Sequence, residues 1–150
     1  MDGTGPWMAS VECQIIEGGV GDLLVVGGKD KAGKPLVPKA TCEIEKDRDG
    51  EPCWKKGGMK QAFTGGRVNW FGRDPDWKDV LGIRGKNDVE TAGTGWTKVE
   101  VIAKGDTLRY LVNGIVVNEA TEVYPTAGKL LFQTEGAELF FRKIELHPLK

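Results

Sequence analysis

The sequence predicts an all-β protein made of antiparallel sheets, and three observations carry that prediction. Glycine supplies 22 of the 150 residues. Such a load is costly in helix interiors and suits turns and bulges. No segment sustains the apolar period of a helix, whereas several short stretches alternate with the period of a strand. Asn113-Gly114 sits between two apolar runs. That is the strongest short-range signal for a two-residue hairpin, because both residues tolerate positive φ. Short strands with turn signals between them predict a sandwich or a barrel.

The elements follow in order along the chain. Val11 to Glu17 alternates imperfectly, with Val11, Cys13 and Ile15 on one side and Glu12, Gln14 and Ile16 on the other, until Gly18-Gly19 breaks it. Leu23 to Val26 is a short apolar run closed by two glycines. Lys29 to Met59 is charged, carries Pro and Gly, and has little periodicity, so residues 29–60 are read as a long loop or excursion, with only Ala40 to Glu45 strand-like. Gln61 to Phe71 is read as a strand, Asp74-Pro75 as a turn and Val80 to Ile83 as a short apolar piece. Trp96 to Ala103 alternates, Gly105-Asp106 turns, and Thr107 to Val112 pairs with Ile115 to Asn118 through the hairpin. Lys129 to Gln133 and Glu138 to Leu146 are read as the two closing strands.

Composition narrows the function classes. The apolar share is 39% and the charged share 29%, as in a globular protein. Net charge is -1, which gives no electrostatic case for nucleic acid or an anionic membrane. No apolar run approaches the length of a membrane span. Met1 to Ser10 lacks the charged-then-apolar pattern of a signal peptide, so export by the usual route is not expected of this chain as it stands. Cys13, Cys42 and Cys53 form no Cys-x-x-Cys pair, and His147 is the single histidine, so a zinc site is not expected. Cys42 and Cys53 flank a polar loop; free thiols are the preferred reading over a disulfide. Asp47, Asp49 and Glu51 lack the spacing and flanking helices of a calcium loop.

Two long runs carry a family resemblance. The run from Lys104 to Asn118, KGDTLRYLVNGIVVN, resembles a strand–hairpin–strand near the end of the 3-keto-disaccharide hydrolase domain family. The closing run from Gly128 to Leu149, GKLLFQTEGAELFFRKIELHPL, resembles the family's glycine-led strand with its Gln, then Phe-Arg-x-Ile and a Pro-Leu finish. Trp7 to Gly18, with Glu-x-Gln-Ile, and Trp96 are similar to further family positions. The resemblance covers nearly the whole chain and is weakest over Lys29 to Gln61. It implies a concanavalin A-like jelly roll, two antiparallel sheets with one concave face. It also implies cleavage of glycosides whose sugar has been oxidised to a ketone at carbon 3. The family's opening strands, around an FNGKDLSGW-like stretch and an Asn-Ser-Gly segment, have no counterpart. Residues 1–150 are therefore read as one domain corresponding to the C-terminal portion of the family's, and incomplete. Family members are often exported.

The candidate site follows from strand alternation. Glu12 and Gln14 lie two apart on a strand and share a face. If that face is the concave one they meet sugar hydroxyls; if not, they meet solvent, and the two readings stand level. Glu12 is the candidate acid–base group, since a base must reach the proton it removes. Gln14, Gln133 and Glu135 are candidate binding residues, the last two as a second polar pair. Trp70 and Arg73 are candidates beside a turn, the Trp to stack on a sugar and the Arg to bind hydroxyls, while Trp77 is read as packing. No cofactor or metal is called for. The expected partner is a small carbohydrate, with self-association through sheet edges as a further expectation. Three readings are carried: an enzyme on 3-keto-glycosides, a carbohydrate-binding module without turnover, and an inactive fragment.

Overall fold

The structure, a computed structural model, describes residues 7–149. It is all-β, with no helix among the described residues. The first sheet contains β1 (Ser10–Cys13), β2 (Leu23–Val26) and β8 (Gly66–Val68), in the order β1-β2-β8. The second contains β5 (Lys39–Lys46), β6 (Pro52–Trp54), β7 (Met59–Phe63), β9 (Val99–Lys104), β10 (Thr107–Val112) and β11 (Ile115–Tyr124). Its order is β6-β5-β11-β10-β9, with β7 also on β5. A small ribbon pairs β3 (Gly28–Lys29) with β4 (Pro35–Leu36). Every ladder is antiparallel, and one parallel bridge, Cys53 to Asn69, links β6 to the end of β8.

The two sheets enclose one core, which makes the protein an antiparallel β-sandwich. Leu23, Val25 and Val68 of the first sheet cluster with Ala40, Cys42, Ile44, Phe63, Tyr110, Val112 and Val117 of the second. Asn118 sits in this core, fully buried, and its Nδ2 donates to the carbonyls of Gly21 (3.3 Å) and Val68 (3.1 Å). Its donor half is thus satisfied and ties the turn before β2 to the end of β8, while Oδ1 is buried with no partner among the described residues. A bulge between Tyr110 and Leu111 of the β10–β11 ladder sets Val117 and Asn118 side by side in the interior. Gly21 approaches so closely, at φ +96°, that a Cβ there would overlap Val117.

The Asn113-Gly114 turn forms as the sequence predicts, with φ 50° and 81°. Asn113 does more than turn the chain. Its Oδ1 accepts from the Lys98 N–H (2.9 Å), and its Nδ2 donates to the Val89 carbonyl (2.8 Å) and the Thr91 hydroxyl (3.1 Å).

Two segments depart from expectation. Residues 29–60 are no loop: they hold β4, the eight-residue β5, β6 and the start of β7. In β5, Ala40, Cys42 and Ile44 point into the core while Lys39, Glu43 and Glu45 point out, and those outward charges mask the strand in composition. At the other end, residues 129–133 and 138–146 join no ladder among the described residues. Leu130, Phe132, Phe140, Ile144 and Leu146 are exposed there. Alternation gives an extended shape, but a strand also needs a neighbour to take its backbone groups.

Candidate functional site

The site grows from the loop between β1 and β2. That loop is closed by Gln14 N–H to Asp22 O and Gly21 N–H to Gln14 O, both 2.9 Å. Asp22, where the loop enters β2, is completely buried. Its Oδ1 accepts the Trp70 N–H at 2.8 Å, its Oδ2 contacts the Arg73 guanidinium, and Arg67 lies 3.8 Å away. Burial raises the carboxyl from its ordinary range to about 6, with Arg73, the Trp70 N–H and Arg67 opposing. Arg73 itself is stacked over Trp77, 4.0 Å from the ring centre. A side chain on Gly19 would overlap the Arg73 guanidinium, so glycine there is what lets Arg73 reach Asp22.

Strand register then defines a face. Glu12 pairs with Leu24, and Leu24 with Arg67, so the three side chains form one row. Cys13, Leu23 and Val68 form the neighbouring row and pack on the core. The Glu12–Leu24–Arg67 row therefore points away from the second sheet, onto the open face. Gln14 joins that face by its backbone pairing with Asp22. Glu12 is half-buried; its Oε1 accepts the Ser10 hydroxyl at 2.6 Å and its backbone carbonyl accepts the Tyr110 hydroxyl at 3.2 Å.

Arg67, Asn69 and Arg73 continue as the floor of a cleft of about 180 Å³. The β5–β6 loop forms one wall, and its Asp47 Oδ1 accepts the N–H groups of Asp49 and Glu51 at 2.9 Å each. Asn69 Nδ2 donates to Glu51 Oε2 at 2.8 Å. Asp74 and Trp77 form the other wall, and an Arg48–Asp76 ion pair joins the two loops. Two guanidiniums and four carboxylates therefore line one mixed-charge cleft.

The hairpin turn reaches this site indirectly. Asn113 holds Val89 and Thr91, and between them Glu90 accepts the N–H groups of Gly18 (2.8 Å) and Val20 (3.4 Å) in the glycine loop. Trp70 Nε1 donates to Gly18 O (3.1 Å) and Trp77 Nε1 to Glu17 O (2.8 Å).

Of the residues expected at the site, Glu12 and Gln14 share the open face and Arg73 lines the cleft. Trp70 does not serve as expected: it is 2% exposed, inside the core, and offers no ring face to a sugar. Gln133 and Glu135 lie exposed on the unpaired C-terminal segment, away from Glu12 and Gln14 in every described ladder. Asp22, Arg67 and Asn69 were not singled out from the sequence, and Glu51 only as part of the calcium loop set aside there. For Asp22 a signal existed: a carboxylate wedged between Gly18-Gly19-Val20-Gly21 and the buried run Leu23–Val26 needs a cationic partner. The three cysteines are free thiols, with burial pushing Cys13 and Cys42 up to about 12 and Cys53 to about 11. They are protonated at neutral pH and supply no nucleophile. Among the described residues no cluster of potential metal ligands occurs.

Fold and cleft together define a β-sandwich protein with a polar, mixed-charge recess on one sheet face. The chain matches the family model described as a 3-keto-alpha-glucoside-1,2-lyase-like domain over residues 1–147, and it belongs to that family. The class is thus that of carbohydrate-related enzymes. No curated protein and no solved structure matches the chain.

Proposed function

We propose that the protein cleaves glycosides whose sugar carries a ketone at carbon 3, on the open face of the β1–β2–β8 sheet. The ketone acidifies the C–H at carbon 2. The Glu12 carboxylate takes that proton, and the electron pair moves onto the ketone oxygen as an enolate. Collapse of the enolate forms the double bond between carbons 1 and 2 and breaks the bond from carbon 1 to the glycosidic oxygen. The aglycone leaves as an alcohol after gaining a proton. Addition of water to the unsaturated sugar completes a net hydrolysis. Arg67, two strands and roughly 10 Å from Glu12, supplies positive charge for the enolate oxygen. Gln14 and Arg73 bind hydroxyls.

The observation that carries this reading is the Glu12–Leu24–Arg67 row, which sets a carboxylate and a guanidinium on one open face. A second reading, sugar binding without turnover, draws on the engagement of the acidic groups: Glu12 is bonded to Ser10, Glu51 to Asn69 and Asp47 to its own loop. A methyl 3-keto-glucoside separates the two. Proton NMR in D2O follows both the unsaturated product and exchange at carbon 2, beside binding by calorimetry. Glu12→Gln is expected to lose about 100-fold or more in turnover, in line with general-base contributions, while retaining binding. Undiminished turnover in that variant removes Glu12 as the base; binding with no turnover in the unaltered chain selects the second reading.

A further inference from the structure

Strand β9 ends its sheet: it pairs with β10 and, among the described residues, with nothing on its other side. It has no Pro, no Gly and no bulge in its pairing with β10, and its two charges, Glu100 and Lys104, are of opposite sign. Both of its faces expose apolar side chains, Val101 at 50% and Ile102 at 37%. Lys98 gives its carbonyl to the Asn113 N–H and its N–H to the Asn113 side chain. By alternation Glu100, Ile102 and Lys104 turn their backbone groups toward β10, and Val99, Val101 and Ala103 turn theirs to the open edge.

We propose that this edge pairs with the same edge of a second copy of the chain, antiparallel about a two-fold axis through Ile102. The strand's own sequence selects that register. Ile102 faces Ile102 of the other copy, and Glu100 faces Lys104 on either side. Val101 faces Ala103, and those are the residues whose N–H and C=O groups are free, so each such pair exchanges two backbone hydrogen bonds. The Glu100–Lys104 pairs then fall at non-hydrogen-bonded positions, where opposite side chains come closest. A two-fold at Val101 would set Lys98 against Lys104, and one at Glu100 would set Glu100 against itself. Val101 and Ala103 share the face that Val99 turns to the core, so the pairing also extends the apolar inner face from one copy to the next. In the single chain Glu100 is bonded to Lys98 at 2.9 Å, a surface contact that exchanges readily for an intermolecular one.

Charge reversal in the full-length chain tests this by analytical ultracentrifugation, with circular dichroism melting as the folding control. The unaltered chain is expected to be a dimer at micromolar concentration. Ile102→Lys is expected to give a monomer that still unfolds cooperatively, with a melt no longer dependent on concentration. Glu100→Lys should weaken the dimer by tenfold or more, and Glu100→Lys with Lys104→Glu should restore it to within a few-fold. A monomeric unaltered chain, single variants that dimerise normally, or a double variant that stays monomeric each overturn the proposal. The last of these would point to the exposed C-terminal segment of a second copy as the occupant of the edge, since reversing both charges restores only the self-pairing.

Discussion

The hairpin from Thr107 to Tyr124 and the segment from Glu138 to Leu146 carry the same kind of sequence, short, alternating and rich in Leu, Val, Ile and Phe. The hairpin is central in its sheet, with Tyr110, Val112, Val117 and Ala120 buried, whereas the C-terminal segment exposes Phe140, Phe141, Ile144 and Leu146. What separates them is the company each keeps. The hairpin has a partner strand on both flanks and a turn residue, Asn113, wired into the 89–98 loop. The C-terminal segment has a ring contact between Phe132 and Phe141 and an Arg142 guanidinium 6.0 Å from the Trp96 ring centre. A pattern that fits a strand becomes one only where a neighbour takes its backbone hydrogen bonds.

The body of the protein is held by buried polar ties, so the largest effect comes from cutting one. Asp22→Ala leaves Arg73 buried without its counter-ion and the Trp70 N–H without its acceptor. Breaking a buried pair from one side costs about 3–5 kcal/mol, and urea unfolding at pH 7 is the measurement. Asp22 also gives the protein a pH signature. Its folded-state value of about 6 lies above the ordinary 3.8, so between those values the folded chain holds a proton that the unfolded chain has lost. This contribution to stability is full below about pH 4, falls as pH rises toward 6, and is flat above. Asp22→Asn cannot titrate, and the slope between pH 4 and 6 is expected to flatten in that variant relative to the unaltered chain.

A smaller effect is expected from the turn. Asn113→Ala removes the two bonds to Val89 and Thr91 and the acceptor for Lys98, and asks alanine to adopt φ 50°. The lost hydrogen bonds and the left-handed backbone together cost about 2 kcal/mol. Because Glu90 sits between Val89 and Thr91 and holds Gly18, the damage should spread to the glycine loop. Hydrogen exchange at Gly18 and Val20 should accelerate along with that at Lys98.

How much of this was legible in the sequence divides along the same line. Local chemistry was readable: Asn113-Gly114 announced its turn, Leu23–Val26 its strand, and Glu12 and Gln14 their common face. Partnership was not. Strand β5 looked like a loop because its outward residues are Lys39, Glu43 and Glu45, and only the sheets on either side reveal that Ala40, Cys42 and Ile44 are core. Trp70 looked like a binding aromatic because it precedes an exposed Phe71 and a turn; its burial depends on Gly18, fifty-two residues earlier, taking its indole N–H. Asp22, Arg67 and Asn69 were missed for the same reason, being single polar residues whose meaning lies in, or just beneath, a cleft assembled from three separate segments.

The smallest effect is expected in the C-terminal segment, and there the comparison is sharpest. Phe141 and Leu146 are exposed, so Phe141→Ser and Leu146→Ser remove little apolar surface from the folded core. Substitutions at such positions stay within about 0.5 kcal/mol in urea unfolding. Tyr110→Ser in the hairpin, at 2% exposure, empties a fully packed position and serves as the contrast. Amide exchange reads the same difference without mutation: residues 138–146 should exchange close to the rate of an unstructured peptide, and Tyr110, Val112 and Val117 only through global unfolding. Protection of Phe141 or Ile144 comparable to that of Val112 would mean that the segment has found a strand partner in solution. It would then behave as a twelfth strand, and the contrast drawn between the two regions would fail.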